Sequence, residues 1–202
     1  MLKIFALLIC SYCLSYSLMA QQEESSFRRF GFRAGATSSK MDFSKGVPPP
    51  TTPIETSSRT GISVGFSLSI PLTDNLELQP EYGYAAMGST IKADNTIYQL
   101  DYLSLPLLVR YKFHEKFSAM AGPQFDLLIS AKKESNGTNT TITHDTEERS
   151  IAAIAGLEYQ VFDPVFISVR YLYGFNHIGI GQRTAVQEFK FTGFQLFAGI
   201  RF

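Results

Sequence analysis

Apolar and polar residues alternate with a period of two along most of the chain. Residues 61–70, GISVGFSLSI, place aliphatic and aromatic side chains on one face of an extended strand and serine or glycine on the other. Strict alternation is typical of a β-strand with two different faces. Seven further segments show it, around residues 30–36, 76–84, 103–113, 117–129, 153–159, 165–174 and 194–202. The pattern predicts an all-β fold with eight strands.

The connections between these strands alternate in length. Short links cover residues 71–75, 114–116 and 160–164, and long links cover residues 39–59, 88–98, 131–149 and 176–190. A meander with all tight turns at one end and all long loops at the other gives this pattern, which outer-membrane barrels share. Several strands also reach the roughly 9–11 residues that a tilted strand needs to cross a bilayer. We therefore expect an eight-stranded antiparallel up-and-down transmembrane β-barrel with both termini in the periplasm.

Alternation alone does not say whether the apolar face meets lipid or fills a soluble core. The polar face carries mostly Gly, Ser, Gln and Ala, whereas the surface of a soluble barrel is rich in Lys and Glu. Small residues suit the narrow interior of an eight-stranded barrel. Aromatic residues gather where the strands end, which predicts the two girdles of a lipid-facing band. The periplasmic girdle would contain Tyr111, Phe113, Phe117, Tyr159 and Phe202, and the external girdle Tyr82, Tyr84, Tyr173 and Phe175. A location in the cell outer membrane is favoured, with a soluble secreted barrel as the alternative.

The beginning of the chain differs from the rest. Lys3 is followed by an apolar run that starts at Ile4 and ends at Ala20, where the polar sequence QQEE begins. This is typical of a secretory signal peptide cleaved after Ala20, with an N-terminal membrane anchor as the alternative. Both cysteines, Cys10 and Cys13, lie in this run. Cleavage would leave no thiol for a disulfide, a nucleophile or a metal site.

Composition agrees with a single charge-poor domain. The chain has 202 residues, and its 18 Lys and Arg balance 18 Asp and Glu, which argues against a partner that is a nucleic acid. No phosphate-binding loop, dinucleotide motif or metal cluster stands out in the sequence, so we expect no cofactor and no metal. We divide the chain into a signal peptide at residues 1–20, a periplasmic segment at 21–28 and a barrel domain at 29–202.

The predicted inward face is the one place where charged side chains gather. It carries Arg33, Glu77, Glu81, Arg110, Lys112, Asp126, Glu158, Arg170 and Arg201. An isolated charge inside so narrow a barrel is costly, so these side chains should pair. The hairpin of the third and fourth strands predicts Glu77 near Lys112 and Glu81 near Arg110. The expected result is a salt-bridged plug low in the lumen, and the alternative is the selectivity ring of a narrow channel.

Catalysis is not indicated. The three histidines, His114, His144 and His177, lie in or next to predicted connections, and none has the serine and acid spacing of a nucleophilic site. We therefore expect a monomer that is not an enzyme. The Pro-rich link at residues 39–59 and the polar link at residues 131–149 are the expected places for an envelope protein partner.

The last strand ends on the aromatic residue Phe202, which resembles the C-terminal signal read by the outer-membrane assembly machinery. Several segments resemble the PorT-like group of small Gram-negative outer-membrane β-barrel proteins. They are FGFRAGA at residues 30–36, YLSLPLLVRYKF at 102–113, GPQFDLLIS at 122–130, GLEYQV at 156–161 and FQLFAGIRF at 194–202. The resemblance covers nearly all of the mature chain and implies the barrel fold and an outer-membrane location. It also implies a second hypothesis, an accessory role in type IX-like protein export, because one member of the group acts there.

Overall fold

The computed structural model describes residues 30–45, 52–181 and 187–202. The predicted signal peptide and the segment at 21–28 lie outside the described residues. The described chain is almost entirely β-strand. Its long strands are β1 (Phe30–Asp42), β2 (Thr56–Leu68), β3 (Leu76–Ile91), β4 (Ile97–Lys112), β5 (Phe117–Ser135), β6 (Arg149–Phe162), β7 (Val165–Gly174) and β8 (Gln187–Arg201). Among these residues no helix is long and apolar enough to span a membrane.

The eight long strands form a closed antiparallel barrel. Each pairs with its neighbours in chain order, and β1 pairs with β8 from Gly31 opposite Arg201 to Asp42 opposite Lys190. The eight-stranded up-and-down barrel is thereby confirmed. Three short strands extend it at Ile70–Pro71, Thr138–Thr141 and Ile178–Ile180. We call the end with the short connections after β2, β4 and β6 the turn end, and the opposite end the loop end.

The apolar face of the strands points outward over the middle of the barrel and towards the turn end. In β2, Ile62 and Phe66 are 65% and 59% exposed. Ser63, which follows Ile62, and Ser67, which follows Phe66, are buried. A soluble barrel would show the reverse, because water favours burial of the apolar side chains. The predicted direction of the two faces is therefore confirmed.

Aromatic rings meet along the turn-end rim of this outward band. Phe117 packs against Tyr159 with ring centroids 4.9 Å apart and against Phe113 at 6.3 Å. Phe30 and Phe202 stack at 6.4 Å where the barrel closes. Rings at this level suit the boundary between lipid tails and headgroups, since their faces are apolar and their edges tolerate water.

The polarity of the two faces reverses towards the loop end. Lys40 and Lys132 point outward and are exposed, whereas Met41, Leu100 and Phe191 point inward and are fully buried. This arrangement, with charged side chains outside and apolar side chains inside, is typical of a barrel surrounded by water. The strands therefore continue beyond the bilayer into an aqueous phase.

This extension shortens the predicted long links. The link predicted at residues 88–98 is wrong in extent, because β3 and β4 continue through most of it and leave only residues 92–96 as a turn. The link predicted at residues 131–149 is also partly strand. β5 runs to Ser135, and Asn136 and Gly137 turn the chain with φ of 51° and 76° into the returning strand Thr138–Thr141. An Asn-Gly pair at positive φ is the preferred turn of a two-residue hairpin.

A charge placed on the lipid-facing side should lower the free energy of unfolding more than the same charge placed at the loop end. We expect Val169→Arg, halfway along the outward face of β7, to lower the free energy of unfolding by about 2–4 kcal/mol. The matched control Ser38→Arg lies on the outward face of β1 where polar residues begin, and should cost about 0–1 kcal/mol. Urea unfolding of the protein refolded into phosphatidylcholine vesicles measures both. Equal losses would contradict the position of the bilayer.

Candidate functional site

A buried carboxylate shared by two arginines lies inside the barrel. Glu81 of β3 accepts hydrogen bonds from both terminal nitrogens of Arg170 at 2.7 and 2.9 Å, and its Oε2 lies 2.7 Å from NH2 of Arg33. Gln79 donates its amide Nε2–H to Oε1 at 2.6 Å. These four side chains, the Glu81 cluster, come from β1, β3 and β7. They therefore tie together strands that are far apart in the sequence.

A second set of ion pairs, the Glu158 cluster, lies nearer the turn end. Glu158 of β6 accepts from Nε of Arg110 at 3.1 Å and from NH2 of Arg201 at 2.6 and 2.7 Å. The NH1 group of Arg110 also donates to Glu77 at 3.0 Å. Charge-assisted hydrogen bonds of this length are among the stronger polar interactions in proteins. The second cluster links β3, β4, β6 and β8.

The remaining predicted acid of the lumen pairs with neutral groups. Asp126 is buried, and Gln124 donates its Nε2–H groups to both carboxylate oxygens at 2.8 and 2.9 Å. Asp126 lies opposite Ser104 of β4 and Ser150 of β6.

Aromatic rings cover the faces of the arginines. The guanidinium carbon of Arg33 lies 4.1 Å from the ring centroid of Phe197, and that of Arg201 lies 4.4 Å from Phe166. Gly199 makes room for this, because a Cβ there would approach the Phe166 ring to 2.4 Å. Cation–π contacts add stabilisation where water is excluded. These rings were not predicted as lumen residues, although Phe166 and Phe197 occupy inward positions of their strands.

One predicted member of the charge network is wrong, and so are its predicted pairs. Lys112 is exposed at the end of β4, because β3 begins at Leu76 opposite Tyr111, so no residue of β3 lies opposite Lys112. Glu77 therefore lies opposite Arg110 and binds it, and Glu81 lies too far up the strand to do so. Without Lys112 the predicted lumen residues are four arginines and four acids.

The half of the lumen towards the loop end is apolar, which the sequence interpretation missed. Its buried core contains Met41, Phe43, Met87, Tyr98, Leu100, Tyr102, Ala131, Ala152, Leu172, Ile178, Ile180, Phe189 and Phe191. Phe191 packs edge-on against Phe189 at 5.0 Å and against Tyr102 at 6.1 Å. We call this set the apolar core. The signal in the sequence is that most of its members occupy the inward positions of β1, β3, β4, β7 and β8.

The histidines lie away from both clusters. His114 is in the turn between β4 and β5, and its Nδ1 accepts the backbone N–H of Lys116 at 3.3 Å. His144 belongs to the single-turn helix Thr143–Asp145 at the loop end, and His177 follows β7. Within the described ranges no hydroxyl or carboxylate side chain is hydrogen-bonded to any of these imidazoles, and no group of His, Cys, Asp and Glu is arranged to hold a metal.

A closed barrel with an apolar exterior and a charged interior defines the class of outer-membrane β-barrel proteins. The chain belongs to the family described as "Outer membrane protein beta-barrel domain", whose model matches residues 19–179. Family and fold place the protein in the cell outer membrane, so the alternative of a soluble secreted barrel is wrong. No curated protein matches the sequence.

Solved structures share the fold at low sequence identity. Neisserial surface protein A gives a TM-score of 0.54 at 15% identity over 86% of this chain and 97% of its own. Ail, the attachment invasion locus protein of Yersinia pestis, gives 0.51 at 16% identity over 87% of this chain and 100% of its own. AlkL, studied in lipid bilayers, gives 0.51 at 15% identity over 89% and 93%. These likenesses show the barrel fold alone.

Proposed function

We propose that the protein is a monomeric, non-catalytic outer-membrane barrel with a closed lumen, and that it acts through the part that projects beyond the bilayer. The observation that supports this proposal is that buried side chains lie inside both halves of the barrel. The Glu158 and Glu81 clusters occupy the turn-end half, and the apolar core occupies the loop-end half. An eight-stranded barrel has room for side chains and little more.

The loop end is proposed to face the outside of the cell. Outer-membrane barrels place short turns in the periplasm and longer connections outside, and the short connections of this chain all lie at the turn end. The projecting hairpin, Thr138–Thr141 with its partner residues 132–135, then stands in the extracellular medium. This hairpin offers a rigidly supported surface for an envelope protein partner.

A closed lumen predicts the absence of steady conductance. Purified protein inserted into a planar phosphatidylcholine bilayer should leave the membrane current at its baseline, because charged pairs and apolar side chains leave no continuous water path. A large porin inserted by the same procedure serves as the positive control. Reproducible single-channel steps that depend on this protein would support the narrow-channel alternative and overturn the closed lumen.

The resemblance to the PorT-like group supports a second hypothesis, an accessory role in type IX-like protein export. A photo-crosslinking residue at Thr140, in the projecting hairpin, tests it in intact cells. The same residue at Val169, on the lipid-facing side, is the matched control. Export components captured at Thr140 and not at Val169 would support this role, and capture of other envelope proteins would support a different partner for the same surface.

A further inference from the structure

The barrel wall is irregular between β2 and β3 near the loop end. The pairing passes from Ser58 opposite Ser89 to Ser63 opposite Ala85, so β2 has one residue more than β3 in this interval. This is a β-bulge, which bends a strand and interrupts its ladder. Ser39 of β1 supplies the missing partner. Its hydroxyl accepts the N–H of Gly88 at 2.8 Å and donates to the Gly88 carbonyl at 3.0 Å, across the position where β2 would pair.

A cavity of about 210 Å³ opens beside this bulge. Arg59, Tyr84 and Gln99 provide its polar lining, and Ile62 and Ala86 provide apolar surface. β-Bulges are common next to binding sites because they redirect side chains away from the regular ladder. The cavity is therefore a local feature of the wall, and on its inner side it is lined by Met87 of the apolar core.

Arg59, the cation in the lining of the cavity, has few hydrogen-bond partners there. NH2 of Arg59 donates to the amide oxygen of Gln99 at 3.0 Å. The carboxylate of Asp101 is held by the Tyr84 hydroxyl at 2.7 Å and faces Nε2 of Gln99 at 3.5 Å. Within the described part of the chain, Arg59 thus bonds to a neutral amide and has further N–H donors to offer.

The cavity lies at the level where the outer surface changes from apolar to polar. Ile62 is 65% exposed on the lipid-facing side of β2, and the next outward residue towards the loop end is the polar, exposed Thr60. On β4 the change occurs between Leu103 and Asp101. Lipid headgroups occupy this level of a membrane, with their acyl chains on the apolar side of it.

We propose that this cavity binds the phosphorylated headgroup of an outer-leaflet lipid, with Arg59 bound to the phosphate and an acyl chain along Ile62 and Tyr84. A planar guanidinium matches the oxygens of a phosphate in a bidentate arrangement, and a cation in a partly enclosed site at headgroup level has the complementary charge. The choice of the outer leaflet rests on the proposed external position of the loop end.

Lipid A that carries both phosphates is the probe that tests this site. The full protein in detergent micelles is titrated with lipid A, and native mass spectrometry measures the bound fraction. Arg59→Gln should weaken binding about tenfold or more, since a charge-assisted hydrogen bond is lost. Removal of both phosphates from lipid A should weaken binding to the wild type by a similar factor. The matched control Lys40→Gln removes an exposed cation at the same level and should change the affinity by less than about twofold.

Equal binding by Arg59→Gln and the wild type, or equal binding of dephosphorylated lipid A, would overturn the proposal. Displacement of lipid A by an equal concentration of inorganic phosphate would show that the site recognises free phosphate and would overturn it as a lipid site. A shift in gel mobility between the boiled and the unboiled protein confirms that each variant is folded. Arg59→Met, which also removes the charge and should weaken binding to the same extent, replaces Arg59→Gln if that variant does not fold. Labelling of Thr140→Cys in intact cells tests the orientation separately, so a failure of the proposed function is distinguishable from a failure of the lipid site.

Discussion

Glu81→Gln is expected to lower the free energy of unfolding by about 3–5 kcal/mol, the cost of breaking a buried ion pair by removal of one partner. The substitution keeps the shape of the side chain and removes its charge. Arg33 and Arg170 are 4% and 1% exposed, and both would then be buried cations without the carboxylate they share. Their mutual repulsion and the lost hydrogen bonds act in the same direction, because burial weakens the screening that water provides.

Urea unfolding in detergent micelles, followed by circular dichroism, measures this loss. The matched control is Glu55→Gln, since Glu55 pairs with Lys92 at 3.4 Å with side chains 75% and 57% exposed. An exposed pair of this kind contributes less than about 1 kcal/mol. A loss for Glu81→Gln no larger than that of Glu55→Gln would mean that water reaches the Glu81 cluster, which would also weaken the case for a closed lumen.

The double variant Glu81→Gln with Arg170→Met tests how much of the lost unfolding free energy is due to unpaired buried charge. Removal of one of the two unpaired cations should restore part of the loss, because Arg33 and Arg170 then no longer repel each other at low screening. The clusters are therefore better explained as a means to fill the lumen and fix strand neighbours than as a large net source of stability. Arg170 of β7 reaches Glu81 of β3, a contact between strands that are not adjacent in the sheet.

The sequence was sufficient to assign the lumen face but not the partners of its charges. Alternation alone puts Glu77, Glu81 and Arg110 on the inward side, because the side-chain period of a strand is two. Which of them meet depends on the register of the hairpin, and a shift by two residues keeps the same face inward while it changes every partner. The register depends on the connection between β3 and β4, residues 92–96, whose geometry is not encoded in the alternation.

The apolar core was missed because the alternation changes phase inside continuous strands. In β8, Phe194 and Leu196 point outward to lipid, whereas Phe189 and Phe191 point inward. In β1, Phe32 points outward and Met41 inward. In sequence this change of phase resembles the end of a strand, and residues beyond it, such as Met41 and Phe189, were assigned to long links. The physical cause is a change of solvent from lipid to water along a single strand, with the apolar side always turned away from water.

The loop-end part of the barrel therefore resembles a small water-soluble barrel with its own apolar core, joined to a membrane-spanning part of opposite polarity. A soluble core tolerates loss of volume poorly, because its neighbours relax only partly into a cavity. A lipid-facing position is different, since mobile acyl chains fill the space that a shortened side chain leaves. Two phenylalanines of β8 lie on either side of this boundary, and they allow a direct comparison.

Phe191→Ala is expected to lower the free energy of unfolding by about 3–5 kcal/mol, the usual cost of a large-to-small substitution of a buried aromatic residue. Phe191 is fully buried and loses edge contacts with Phe189 and Tyr102. The matched control Phe194→Ala removes the same ring at a position 60% exposed to lipid and should cost less, because no cavity remains. Urea unfolding of both variants in vesicles measures the difference, and an equal or larger loss for Phe194→Ala would contradict an apolar core at the loop end. Planar-bilayer recording of Phe191→Ala should still show baseline current if, as proposed, the Glu81 and Glu158 clusters close the other half of the lumen. Steady conductance in this variant alone would show instead that the apolar core is the main seal.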